Sequence, residues 1–146
     1  MKTVICLFVR GNILEDSASP MVLITDVNAM KWQELCEDSL VENEMGFRAD
    51  LRFVDAQRFI GSDEETLREA FPYPEAMVIF AVDDLTLSQK GRPVLCIDPE
   101  GQAVSFRAEL NEIWQVDNNL STGNLFFEEL VEECVEDGYL KPLAEF

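Results

Sequence analysis

The chain has 146 residues, 47% of them hydrophobic and 27% charged, which fits one globular domain and excludes a disordered or low-complexity polymer. Twenty-nine acids against 11 bases give a net charge of −18, so nucleic acid and anionic membrane surfaces are expected to be repelled. Histidine is absent, which removes Ser-His-Asp and Cys-His catalysis, imidazole-ligated metals and an ordinary imidazole pH switch.

Residues 1–20 read as an N-terminal extension or edge strand ahead of a single α/β domain over 21–146. Residues 2–9 alternate weakly. Their apolar part, Val4–Val9, is too short for a secretory core or a bilayer span, and a cytoplasmic protein is expected. Met21–Thr25 suits a buried strand. Ala29, Trp32, Cys36 and Leu40 then fall at helical spacing, with Asp26 or Asn28 able to cap and Trp32 facing the core. Asn43–Arg48 is a polar turn containing Gly46, and Asp50–Asp55 alternates as a half-buried strand does. Ser62-x-x-Glu65 has the capping-box pattern before Leu67, Ala70 and Phe71, and Pro72 and Pro74 stop that helix.

Met77–Val82 is the most apolar run and predicts a central strand. Pro93–Ile97 and Val104–Arg107 form an expected hairpin about Asp98-Pro99-Glu100-Gly101. Glu112–Val116 reads as a further strand, and Asp117–Asn124 as a loop with Asn118 and Asn119 in its turn. Ser121, Thr122 or Asn124 would cap a last helix over Leu125–Asp137, with Phe127, Leu130, Val131 and Cys134 on its apolar face. Gly138 suits its C-terminal cap, and the tail from Tyr139 a short returning strand. The order predicts an α/β or α+β sandwich with a mixed sheet of five to six strands and about three helices.

Cys6, Cys36, Cys96 and Cys134 form no C-x-x-C pair and sit among apolar neighbours, as small buried hydrophobes do.

Several stretches are similar to a known family. They are Asp50-Leu-Arg-Phe-Val-Asp-Ala-Gln-Arg-Phe-Ile-Gly61, Phe80-Ala-Val-Asp-Asp-Leu-Thr-Leu87, Pro93-Val-Leu-Cys-Ile-Asp98 and Glu109-Leu to Ile113-Trp-Gln-Val-Asp-Asn-Asn-Leu-Ser121. Together they resemble a family of small bacterial proteins, common in actinomycetes, whose domain has no assigned function. The likeness runs over roughly residues 21–140; Gln57 and the Tyr139-Leu-Lys-Pro ending depart from it. It implies a bacterial, soluble, single-domain protein and supplies no catalytic residue.

Charge concentrates at the end of the chain: residues 108–146 carry ten acids and one base, half of the net total. Glu128, Glu129, Glu132, Glu133, Glu136 and Asp137 crowd the last predicted helix with no base among them. Their i,i+4 like-charge pairs each cost about 0.2–0.5 kcal/mol. Such a face either serves solubility or docks a basic protein. The second reading makes the chain an acidic protein-binding module of the immunity or accessory type, docking a basic partner without a cofactor. Asp117, Asn118 and Asn119 would extend the docking surface. Trp114 belongs to it as an exposed anchor or, given its apolar neighbours, to the core.

An alternative starts from aspartates that follow strands. If those strands are parallel, Asp26, Asp55 and Asp83 share one sheet edge, where Mg²⁺ would support phosphoryl transfer and Asp84 is a further ligand candidate. Aspartates after strands also cap helices and make turns, with no ligand involved.

Overall fold

A computed structural model of the chain describes residues 18–141. The strand expected at 2–9, Cys6 and residues 142–146 lie outside them. The described residues form one mixed sheet flanked by helices, with more strands and helices than the sequence pattern suggests. Its strands are β1 Ser19–Leu23, β2 Leu51–Val54, β3 Ile79–Val82, β4 Pro93–Ile97, β5 Phe106–Glu109, β6 Val135–Glu136 and β7 Tyr139–Leu140. The helices are α1 Ala29–Ser39, α2 Glu64–Ala70, α3 Asp84–Ser88, α4 Ile113–Ser121 and α5 Phe127–Cys134, with short 3-10 turns at Gln57–Phe59 and Leu110–Glu112.

The strand order is β2-β1-β3-β4-β5-β7-β6. β1 pairs in parallel with β2 on one side and β3 on the other. Right-handed crossovers that leave β1 in one direction and return in the other must put their helices on opposite faces. Accordingly α1 packs with α4 and α5 on one face, and α2 lies on the other. The side-chain period of two decides each strand's contribution. Met21, Leu23, Phe80, Val82, Val94 and Cys96 enter the larger core, whereas Val22, Ile79, Ala81 and Ile97 enter the smaller one. From β3 onward the sheet turns antiparallel through β4 and β5, so the expected hairpin at 93–107 is present.

Local chemistry accounts for the boundaries. Asn28, not Asp26, caps α1, its Oδ1 accepting the Lys31 N–H at 2.8 Å. Asp63 caps α2 by accepting the Thr66 N–H, which displaces Ser62 from the expected role. Val104 is exposed and β5 begins only at Phe106. The intervening chain is held instead by the buried Asp98 carboxylate, which accepts the N–H groups of Glu100, Gln102 and Ala103.

The largest departures fall after residue 110. Glu112–Val116 is not a strand, and Asp117–Asn124 is not a loop. A 3-10 turn leads into α4, which buries Ile113, Val116 and Leu120. The last helix stops at Cys134, three residues short of its expected end, and is capped at Phe126 by the Glu129 carboxylate accepting that residue's N–H, not by Ser121, Thr122 or Asn124. Asp137 and Gly138, at φ 55° and 83°, make the left-handed pair of a tight turn between β6 and β7. Gly138 is therefore a hairpin glycine, and its freedom at positive φ serves that turn.

The Asp98 cluster makes a test of the β4–β5 connection. Asp98→Ala is expected to lower stability in urea unfolding by about 1–3 kcal/mol, since three partly buried backbone donors lose a charged acceptor. Asp98→Asn, which keeps one oxygen, should lose roughly half of that.

Candidate functional site

The parallel strands do carry Asp26, Asp55 and Asp83 beyond their carboxyl ends, yet the three do not gather. Asp26 and Asp83 border a shallow open cleft with Thr25, Gly61 and Asp84, and Asp55 is not part of its lining. Thr25 donates to Asp84 across it at 2.5 Å. Asp83 is already engaged: Arg107 binds both of its oxygens, at 3.0 and 2.7 Å, and the same carboxylate caps α3 through Thr86. Among the described residues no three acids or cysteines come together as metal ligands. The convergence that Mg²⁺ chemistry at Asp26, Asp55 and Asp83 required is thus missing among the described residues, and β5 delivers a guanidinium to Asp83.

Asp117 occupies a position unlike the exposed loop expected for it. It is 3% exposed and accepts the Ser19 hydroxyl at 2.5 Å, the Asp50 N–H at 2.9 Å and the Ser121 hydroxyl at 3.0 Å. It ties α4 to the starts of β1 and β2 and offers nothing to a partner. Asn118 and Asn119 are half-buried within α4, where the Asn119 side-chain amide donates to the Gln115 carbonyl and its oxygen accepts from Asn124.

The acidic residues near the chain end divide between two elements. Glu128, Glu129, Glu132 and Glu133 are exposed on α5, while Glu136 and Asp137 are exposed on β6 and its turn. Only two of the four anticipated i,i+4 repulsions survive, Glu128/Glu132 and Glu129/Glu133, worth together about 0.4–1 kcal/mol. Burial of Phe127 and Leu130, at about 1.5–3 kcal/mol each, outweighs that cost. Glu128 and Glu129 also lie in the first helical turn, where the positive end of the dipole favours them. Among the described residues no Lys or Arg pairs with any carboxylate of this face. Phe126, 72% exposed, stands at its head.

Trp114 is half-buried on α4 and stacks on Phe47, ring centroids 5.1 Å apart and planes within 9°. The pair lines a groove of about 870 Å³ between the end of α1, the following loop and the start of α4. Val41 and Met45 are exposed along it, and Glu42, Glu44 and Glu112 supply negative charge. This feature was missed in the sequence. Its only signal was the alternation of apolar and acidic residues in Val41-Glu-Asn-Glu-Met-Gly-Phe47, a segment that otherwise reads as a polar turn.

Cys36 and Cys96 are buried and Cys134 half-buried; burial pushes the Cys96 thiol upward, away from thiolate chemistry. No helix among the described residues is long and apolar enough to cross a membrane.

The chain belongs to the family described as a domain of unknown function, DUF6924, whose profile matches residues 19–143. That span runs from the first residue of β1 past β7. A search of curated proteins gave no match.

Asp117 and Asp83 respond to pH in opposite senses. Burial pushes Asp117 above its ordinary 3.8, against the hydrogen bonds it accepts. Its stabilising contribution is therefore largest when protonated and declines as pH rises through the raised value. For Asp83 burial also acts upward, but the Arg107 and Thr86 hydrogen bonds outweigh it and leave the carboxyl below 3.8, so its contribution is lost on acidification. The stability advantage of the wild type over Asp117→Asn should be greatest near about pH 4 and shrink toward neutrality in urea titrations. Asp83→Ala, which strands a partly buried guanidinium, should cost about 2–3 kcal/mol at neutral pH and less in acid.

Proposed function

We propose that the protein is a non-catalytic binding module that docks a basic protein partner through the acidic face of α5 and the β6–β7 hairpin. The observation that carries this reading is the set of exposed carboxylates Glu128, Glu129, Glu132, Glu133 and Glu136, none of which forms an ion pair with a Lys or Arg among the described residues. Charge of one sign over a face accelerates encounter with an oppositely charged surface and rejects like-charged competitors. Phe126 gives the same face an apolar anchor of the kind on which interface affinity concentrates. An immunity-type inhibitor or an accessory subunit is the form such a module takes. Trp114, Asp117, Asn118 and Asn119 fall outside this surface.

The test separates rate from lifetime. A partner captured with the immobilised chain from the lysate of its own cell would be purified and its association followed in real time. Changing Glu128, Glu129, Glu132 and Glu133 together to Gln should lower the association rate by roughly tenfold or more at low salt and flatten its salt dependence. Phe126→Ser should mainly speed dissociation. Both variants should melt no lower than the wild type, the first gaining a few tenths of a kcal/mol from relieved repulsion. Unchanged association by the Gln variant, or an acidic partner, would refute the reading.

A further inference from the structure

We infer that the groove between α1 and α4 is an arginine-reading site, which takes the guanidinium of a basic protein segment on the Phe47–Trp114 stack. This site goes beyond the acidic face of α5 and does not need it.

The stack joins two parallel rings from elements distant in sequence, and Phe47 remains 43% exposed although it is large and apolar. Val41 and Met45, 67% and 62% exposed, continue that apolar surface along the same loop. Glu42 and Glu44 alternate with them and form no ion pair among the described residues. Aromatic face, aliphatic cover and unpaired carboxylates together match one side chain best. A guanidinium is planar, weakly hydrated and able to stack on a ring while its N–H groups meet carboxylate oxygens, and its three methylenes seek apolar cover. The groove, at about 870 Å³, exceeds one side chain and leaves room for apolar neighbours of that arginine.

The molecule's own cations do not fill this role. The cation–ring contacts among the described residues are Arg52 on Phe71 and Arg58 on Phe59, both elsewhere. Arg92 lines the groove but is bound to Asp38 at 2.8 Å. It holds that place in a left-handed backbone, φ 48°, which residues with side chains rarely adopt and which recurs at functional sites. Arg48 also lines the groove and makes no cation–ring contact. A second copy of the chain is a poor occupant, since it would bring −18 against −18, and phosphate would meet Glu42 and Glu44.

The full ¹⁵N-labelled chain would be titrated with Ac-Gly-Leu-Arg-Arg-Leu-Gly-NH₂ and with the same peptide carrying citrulline, a neutral isostere, at both arginines. The arginine peptide should shift the Trp114 indole N–H and the amides of Met45 and Phe47. Citrulline should weaken binding by about tenfold or more. Phe47→Leu, which keeps apolar bulk without a π face, should remove most of that preference, whereas Phe47→Tyr should retain it. Met45→Ser, at an exposed position, should weaken binding without lowering the melting temperature. Neutralising the four α5 glutamates should leave the peptide affinity within about twofold, which separates this site from the acidic face. Equal affinity for the citrulline peptide, shifts centred on α5, or no shift at millimolar peptide would each overturn the inference.

Discussion

The bidentate pair between Arg107 and Asp83 links the parallel and antiparallel halves of the sheet. Asp83 follows the last parallel strand, Arg107 lies on β5, and the same guanidinium also donates to the Pro93 carbonyl at the start of β4. Thr86 closes the cluster, its N–H donating to the Asp83 carboxylate that caps α3 and its hydroxyl to that carbonyl. One cation thereby fixes the end of β3, the short α3 and the β4–β5 ladder. In a molecule with only 11 bases, such use of cations has consequences elsewhere. Arg68 and Arg92 are held in ion pairs, and Arg52 and Arg58 lie over aromatic rings, all before residue 108. The chain from 108 onward retains Lys141 alone among bases, and among the described residues no Lys or Arg pairs with the carboxylates of α5 and β6.

The parallel and hairpin parts of the fold were readable because each residue's local preference agrees with its place in the sheet. β2 alternates, β3 is continuously apolar and central, and the 98–101 turn carries Asp, Pro and Gly where a turn needs them. Trp32 and Cys36 fell on the buried face of α1 as their spacing requires. The region after 110 misled because its local signals compete. Ile113-Trp-Gln-Val116 looks strand-like over four residues, and two adjacent asparagines look like a turn. The helical period appears only when Ile113, Val116 and Leu120 are taken together. What decides the matter is tertiary: Asp117 finds three donors from β1, β2 and α4 itself, a set that no local window contains. The Asp137-Gly138 dipeptide carried a hairpin signal, but its strands are two residues long and lack any pattern of their own.

The site was harder to read than the fold for a related reason. Acidic composition is visible in any sequence, whereas a platform needs two elements brought together. Phe47 and Trp114 are 67 positions apart, and neither looks exceptional alone. The aspartates at strand ends show the converse error. Their common edge follows from parallel pairing and is present. Their availability does not follow, since it depended on where Arg107 would reach.

These two kinds of surface have different physical reach, and the difference bears on how the protein selects. At physiological ionic strength charge acts over about 8 Å, and a field of one sign draws every basic protein toward the chain. Net charge alone therefore sets rates and excludes polyanions without choosing among cations. Choice has to come from contacts whose energy depends on shape: an aromatic side chain such as Phe126 entering a pocket, or a planar cation aligned on Phe47 and Trp114. At the groove Arg92 is committed to Asp38, and on α5 no carboxylate pairs with a Lys or Arg among the described residues. The ion pair between Arg92 and Asp38 thus also withholds one cation from the groove's other carboxylates, which joins the stability of the fold to the proposed recognition of a basic partner.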